Sequence, residues 1–230
     1  MRILLGVLLL LITALPALGQ KVSIHFGGKV GVPITRNIPS LRGIGFVPIG
    51  SGFGQTTITP EGPRLTMSPT FTMFVDDRLA VDVEALFRPV RYETDIVAPS
   101  VSTFDKTRAT SLEIPVIISY HFGHSRFRPY VGGGLMPYEK SWGRIDGHGI
   151  IHNQGNRETY VVFTYYGFSS NSAPLLFNAG VTYSINRWLI RPETRYTHSS
   201  GSSGRRPDQW DAFVGGTFRI LQHRTSKAGS

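Results

Sequence analysis

Leu79-Ala80-Val81-Asp82-Val83-Glu84-Ala85-Leu86-Phe87-Arg88 alternates strictly. Leu79, Val81, Val83, Ala85 and Phe87 fall on one parity, and Asp82, Glu84 and Arg88 on the other. Successive strand side chains point to opposite faces, so this segment has one apolar face and one face carrying both signs of charge. A second stretch repeats the pattern, with Leu112, Ile114, Val116, Ile118, Tyr120 and Phe122 on one parity and Glu113 and His121 on the other. Leu175, Phe177, Ala179, Val181, Tyr183 and Ile185 make a third such face, and Trp210, Ala212, Val214, Phe218 and Ile220 a fourth. Helical periodicity is nearly missing after Gln20, so the fold class is all-β. Eight strands are predicted: Lys21–Val32, Arg64–Val75, Leu79–Tyr92, Ser111–Phe122, Arg126–Tyr138, Ala173–Ile185, Trp188–Ser199 and Asp208–Leu221.

The connections order these strands. Asp76-Asp77-Arg78, Gly123-His124-Ser125 and Asn186-Arg187 are short and built of turn residues. They alternate with long connections rich in Gly, Ser, Thr or Pro at Pro33–Pro63, Glu93–Thr110, Glu139–Ser172 and Ser200–Pro207. An even strand number with long and short links in strict alternation predicts an eight-stranded antiparallel up-and-down transmembrane β-barrel, whose long loops share one end. Aromatic residues collect near both strand ends, as two interfacial girdles require: Tyr120, Phe122, Tyr183 and Trp188 at one, Phe87, Tyr196 and Trp210 at the other.

The second face holds His25, Lys29, Arg64, Asp82, Glu84, Arg88, Glu113, His121, Arg128, Arg191, Glu193, Arg195, Asp211 and Arg219. Eight strands enclose a space that side chains fill, and charges confined there must pair. Glu84, Glu113 and Glu193 are therefore predicted to form an interior ion-pair network with Arg88, Arg128, Arg191 and Arg195 that plugs the lumen. A proton or ion path through the same residues is the functional alternative. A soluble lipocalin-like binding barrel, with the apolar face inward, shares the alternation. Pro69, Pro89, Pro115 and Pro192 each delete a ladder donor, which predicts bulges or displaced pairing.

The chain has 230 residues, no Cys and a net charge of +9. This is one domain's length, without disulfides, thiolate nucleophiles or cysteine metal sites. Met1–Gly19 reads as a signal peptide: Arg2, a Leu-rich run, Pro16 and small residues at Ala17 and Gly19. The apolar run is shorter than a bilayer-spanning helix, which argues against a membrane anchor. The mature chain from Gln20 carries +8, from 23 basic and 15 acidic residues. The predicted organisation is 1–19 signal peptide, 20–221 barrel and 222–230 polar tail.

Phe26-Gly27-Gly28-Lys29-Val30-Gly31-Val32, Val81–Phe87, Leu112-Glu113-Ile114-Pro115-Val116, Arg128-Pro129-Tyr130-Val131-Gly132-Gly133-Gly134 and Pro192–Tyr196 together resemble the small eight-stranded bacterial outer-membrane β-barrel family of OmpA-like and PorT-like barrel domains. The resemblance spans most of the mature chain. It implies an outer-membrane location, embedded in lipid, and a structural, adhesive or surface role rather than an activity. One departure is the basic tail Gln222–Ser230, where the family's last strand commonly ends at an aromatic.

Over a short stretch, Arg195-Tyr196-Thr197-His198-Ser199-Ser200-Gly201 resembles the His-x-Ser segment of outer-membrane lipid A deacylases. That likeness implies His198 as general base and Ser200 as nucleophile, with an orienting carboxylate from the next strand. Asp211 lies near the expected place but on the lumen parity. Gly132-Gly133-Gly134 has no helix behind it to make a phosphate cradle. His148 and His152, with Asp146 nearby, are read as solvated loop residues rather than metal ligands. The expectation is a barrel without metal or cofactor, probing surface polysaccharide or protein through its loops, with Arg205-Arg206, Arg224 and Lys227 available to anionic head groups. Nucleic acid is excluded as a partner by export and by the lack of any nucleic-acid module.

Overall fold

The alternating segments form β1 (Val22–Pro33), β4 (Thr66–Val75), β5 (Leu79–Glu84), β6 (Leu86–Ala98), β7 (Val101–His121), β8 (Phe127–Asn153), β10 (Leu175–Ile185), β11 (Trp188–His198) and β12 (Gln209–His223). β2 (Leu41–Phe46), β3 (Phe53–Pro60) and β9 (Arg157–Ser169) are additional. The computed structural model describes residues 21–35, 41–46, 53–62, 65–98, 101–153, 157–169, 174–198 and 208–223. The signal-peptide segment, Arg64, Ser200, Arg205-Arg206, Arg224 and Lys227 lie outside the described residues.

β1 pairs with β4 and β12, and the ring runs on through β5–β6, β7, β8, β10 and β11 back to β12, all antiparallel. With β5 and β6 forming one stave broken at Ala85, this is an eight-stranded up-and-down transmembrane barrel. Three turns close one end. Asp76 and Asp77 both have positive φ, 51° and 59°, and the Arg78 amide donates to the Val75 carbonyl at 3.2 Å. Asn186 (55°) and Gly123 (78°) take the same left-handed region in the other two turns.

The two faces separate as the alternation predicts. Phe26, Ile118, Phe177, Trp188 and Val214 each stand more than half exposed, whereas Lys29, Asp82, Glu84, Glu113, Arg191 and Arg195 are buried. Apolar outside and charged inside is the inverse of a lipocalin, so the soluble binding barrel is set aside. An apolar band around a closed ring satisfies every backbone group without an edge, which is the condition for crossing lipid with strands.

The long-connection end differs from expectation. Glu93–Thr110 and Glu139–Ser172 are largely strand, not loop. β6 and β7 stay paired without a register shift from Leu86↔Glu113 to Ala98↔Val101. β7 and β8 remain paired to Val101↔Ile151, β8 takes on β9, and the β2–β3 hairpin joins β6 at Gln55↔Val97. A six-stranded sheet, β2-β3-β6-β7-β8-β9, thus rises from one side of the ring. From Pro89 to Ala98 this adds roughly 30 Å of extended chain. Thr103, Thr107 and Ala109 alternate with Phe104, Lys106 and Arg108 here, so neither face is apolar enough to announce a strand.

The prolines mostly mark interruptions. The β7–β8 register shifts between Ile114 and Val116, around Pro115. Ala85, opposite Pro69, breaks the strand between β5 and β6 while its amide still donates to the Pro69 carbonyl at 3.1 Å. The β10–β11 ladder skips from Gly180↔Glu193 to Tyr183↔Ile190, across Pro192. Pro89 keeps its place opposite Thr110, at a level where β6 has left β4 at Phe87 and meets β3 only from Tyr92.

Candidate functional site

The interior is built in layers. Nearest the tight turns, the Phe74 ring meets His25 at 5.3 Å and His121 at 5.0 Å, and His121 stacks on Tyr130 at 4.7 Å. Ala80 and Leu189 pack on Phe74. Arg128 lies over the Phe74 ring at 5.6 Å and donates to the Asp77 carbonyl at 2.7 Å.

One level up, Arg191 donates in a bidentate fork to Asp82 at 2.7 and 2.9 Å, and Thr72 donates to the same carboxylate at 2.5 Å. Arg191 also covers the Tyr130 ring at 4.8 Å. The next layer is the densest. Lys29 Nζ donates to Glu84 at 2.7 Å and to Glu193 at 2.9 Å. Arg195 grips both oxygens of Glu84 at 2.9 Å and reaches Glu193 at 2.6 Å. Tyr130 Oη donates to Glu193 at 2.7 Å, and Phe213 supports the Arg195 guanidinium from 4.7 Å. Toward the long-connection end, Arg88 forks onto Asp211 at 3.0 Å and touches Glu113 at 3.2 Å, while Gln209 donates to Asp211 at 2.6 Å.

Planar guanidinium forks matched to carboxylates are the strongest pairs available to a buried site. They also fix which staves face each other: β1, β5, β8 and β11 contribute the polar groups of the densest layer, with Phe213 of β12 against it. The wall is made thin where the network is thick. A Cβ on Gly31 would lie 2.2 Å from Phe213, and one on Gly180 would lie 2.7 Å from Tyr130 Oη.

The sequence-predicted residues distribute as follows. Glu84, Glu193 and Arg195 meet directly, and Arg88 meets Glu113. Arg191 takes Asp82 rather than a glutamate. Arg128 contacts a turn carbonyl and Ser184 Oγ, at 2.7 and 3.4 Å, instead of a carboxylate, because its place on β8 is in the layer nearest the turns, two below Glu84 and Glu193. Lys29, Asp82, Asp211 and Tyr130 were missing from the network read in the sequence. The first three sit on the charged parity, but choosing their partners requires knowing which strands oppose one another across the lumen.

At the rim, His198 Nδ1 lies 2.9 Å from Asp208 Oδ1, and Tyr196 Oη donates to Asp208 Oδ2 at 2.5 Å. The carboxylate beside His198 is thus Asp208, whereas Asp211 is engaged inside the lumen by Arg88. Asp208 immediately precedes β12, in step with its outward parity, next to the Thr197↔Gln209 pair. Phe177 and Trp210 flank Tyr196 at 6.5 and 5.0 Å. His148 is in β8 rather than in a loop, with its ring 5.3 Å from Phe104, and Asp146 accepts from Arg144 at 2.6 Å. The His152 side chain lies outside the described residues.

In the sheet beyond the ring, Lys106 bridges Glu93 at 2.8 Å and Glu61 at 3.0 Å, and those hydrogen bonds raise its pKa. Asp105, on the other face, has its pKa raised by burial.

No protein-family model and no curated protein matches the chain. Solved structures similar to it include Neisserial surface protein A, at 16% identity and TM-score 0.41 over 88% of this chain and 97% of that one. The N-terminal β-barrel domain of Pseudomonas aeruginosa OprF is similar at 14% identity and TM-score 0.36, over 87% and 97%. Ail, the attachment invasion locus protein of Yersinia pestis, is similar at 11% and 0.34, over 87% and 99%. The likeness is to small outer-membrane barrels, while the fold itself is established by the closed register of this chain's own strands.

Proposed function

We propose that the protein is a non-enzymatic bacterial outer-membrane barrel, closed to diffusion by its interior charges, that carries the sheet β2-β3-β6-β7-β8-β9 on the cell surface as a contact platform. The observation that supports this reading is the Lys29–Glu84–Arg195–Glu193 cluster: four ionised side chains, all buried, spanning the lumen from opposite walls. The exported form begins at Gln20 in this reading, and the sheet faces outward with the long connections. Membrane fractionation, heat-modifiable migration on a detergent gel and planar-bilayer recording test it together. A band that shifts on boiling, in outer-membrane fractions, without conductance is expected; stable conductance steps of wild-type protein would overturn the closed lumen.

A second reading is favoured by the His198–Asp208 contact: a hydrolase of outer-leaflet acyl esters. Asp208 would hold the imidazole by Nδ1, leaving Nε2 to take the Ser200 hydroxyl proton as Oγ attacks the ester carbonyl and to hand it to the departing alcohol; water would then hydrolyse the acyl-serine, releasing the fatty acid and restoring Ser200. Lipid A from cells expressing wild type, Ser200→Ala and Asp208→Asn should then differ by one acyl chain in mass; identical spectra would remove this reading.

A further inference from the structure

Above the apolar band on the outer surface, three arginines stand directly opposite one another. Arg91 on β6 pairs with Arg108 on β7, and Arg108 pairs with Arg144 on β8. Paired residues share a face, and this is the outward one, continuing Phe87 and Leu112 below. The row lies four residues above Phe87, which along tilted strands is roughly 10 Å beyond the lipid-facing aromatic. Trp142, opposite Thr110, fills the row between.

Like charges directly opposite in a sheet repel one another. Neither Arg91 nor Arg108 forms an ion pair with any described residue, and the carboxylates of the next row are engaged, Glu93 by Lys106 and Asp146 by Arg144. The three arginines, Pro89, Thr110 and Trp142 line an open cleft of about 560 Å³. A triple guanidinium row facing outward at the upper edge of the apolar band, over a tryptophan at interface depth, has the geometry of a phosphate cradle for a lipid that lies alongside the barrel.

We infer that Arg91, Arg108 and Arg144 bind the phosphate of an outer-leaflet lipid head group, of the phosphorylated glycolipid type, whose acyl chains lie along the Phe87–Leu112 surface. The inference rests on the membrane-barrel reading above. Phosphate oxygens would relieve the repulsion between Arg91 and Arg108, while Arg144, held by Asp146 at 2.6 Å, would share its guanidinium between that carboxylate and the phosphate.

The test uses the full mature chain refolded in detergent, titrated with bisphosphorylated lipid A, with the same lipid fully dephosphorylated, and with inorganic phosphate, and read by native mass spectrometry. Wild type should retain the bisphosphorylated lipid, and Arg108→Gln should weaken it about tenfold or more, the loss expected for one charge-assisted contact. Arg187→Gln, at a tight turn on the far end, should bind like wild type. Equal binding of phosphorylated and dephosphorylated lipid would overturn the inference, as would equal binding by Arg108→Gln. Inorganic phosphate displacing the lipid at equal concentration would overturn the lipid as source. Each sample is first run unboiled and boiled: a missing gel shift counts against the barrel itself, while a normal shift with no lipid discrimination counts against this site alone.

Discussion

Replacing Arg195 by Met removes the cation that holds two buried carboxylates at once. Three hydrogen bonds go with it, two to Glu84 at 2.9 Å and one to Glu193 at 2.6 Å. Among the described residues Lys29 is left as the one cation in direct contact with both glutamates. Hydrogen bonds to charged groups are each worth about 1.5–3 kcal/mol, but they are not additive within one network. The measured cost of breaking a buried pair, about 3–5 kcal/mol, is the better scale. Such a loss lowers the folded-to-unfolded ratio by roughly two to four orders of magnitude. Reversible urea unfolding in lipid vesicles, followed by the gel shift, reads the difference directly. Because the damage is one uncompensated negative charge, Glu84→Gln added to Arg195→Met should recover most of it, leaving a deficit under about 2 kcal/mol. A single-variant loss below about 1 kcal/mol, or a double variant no better than the sum of its parts, would refute the argument that interior neutrality holds the barrel together.

Other expectations follow from particular contacts. A Cβ on Gly27 would lie 2.0 Å from the Gly216 carbonyl while one on Gly216 meets nothing within 4 Å, so Gly27→Ala should open the β1–β12 seam and lose the heat-modifiable band, and Gly216→Ala should keep it. Asn186→Val, at φ 55°, should cost about 1–2 kcal/mol and Asn186→Gly little, measured by the same unfolding assay. Burial raises the folded pKa of Asp105 above its ordinary 3.8, so its charge weakens the sheet as pH rises through that folded value. Asp105→Asn should therefore slow hydrogen exchange across Phe104–Arg108 at neutral pH, with the advantage vanishing below about pH 4, where the wild-type carboxyl is protonated in both states; an advantage that persists at pH 3 would contradict the burial argument.

What the sequence disclosed divides along physical lines. Leu79–Arg88 and Leu112–Phe122 are half in lipid and half in a polar lumen, and that contrast writes period two plainly. Val101–Thr110 and Ser141–Asn153 carry polar or charged residues on both parities, so the same backbone geometry leaves no apolar signature, and composition alone reads as loop. The identity of the interior charges was legible for the same reason as the strands. Their pairing was not, since Arg191 meets Asp82 across 109 positions of chain and Arg88 meets Asp211 across 123. Asp208 eluded the reading because it lies three positions before Asp211, at the very start of the last strand, and only the β11–β12 register, with Thr197 opposite Gln209, brings it beside His198.

The β6–β7 ladder runs from lumen to tip without a bulge, from Leu86↔Glu113 to Ala98↔Val101. Length beyond the ring is therefore adjustable in matched pairs. Deleting equal numbers of residues on the two sides of the tip, an even number from each, shortens this hairpin while every remaining residue of β6 and β7 keeps its partner across the hairpin and its face. Such paired trimming lets the height above the membrane vary while the barrel's shear, and with it the interior, is left untouched, so evolution or a designer can tune how far the protein reaches through the surface layer as a quantity separate from how well it folds.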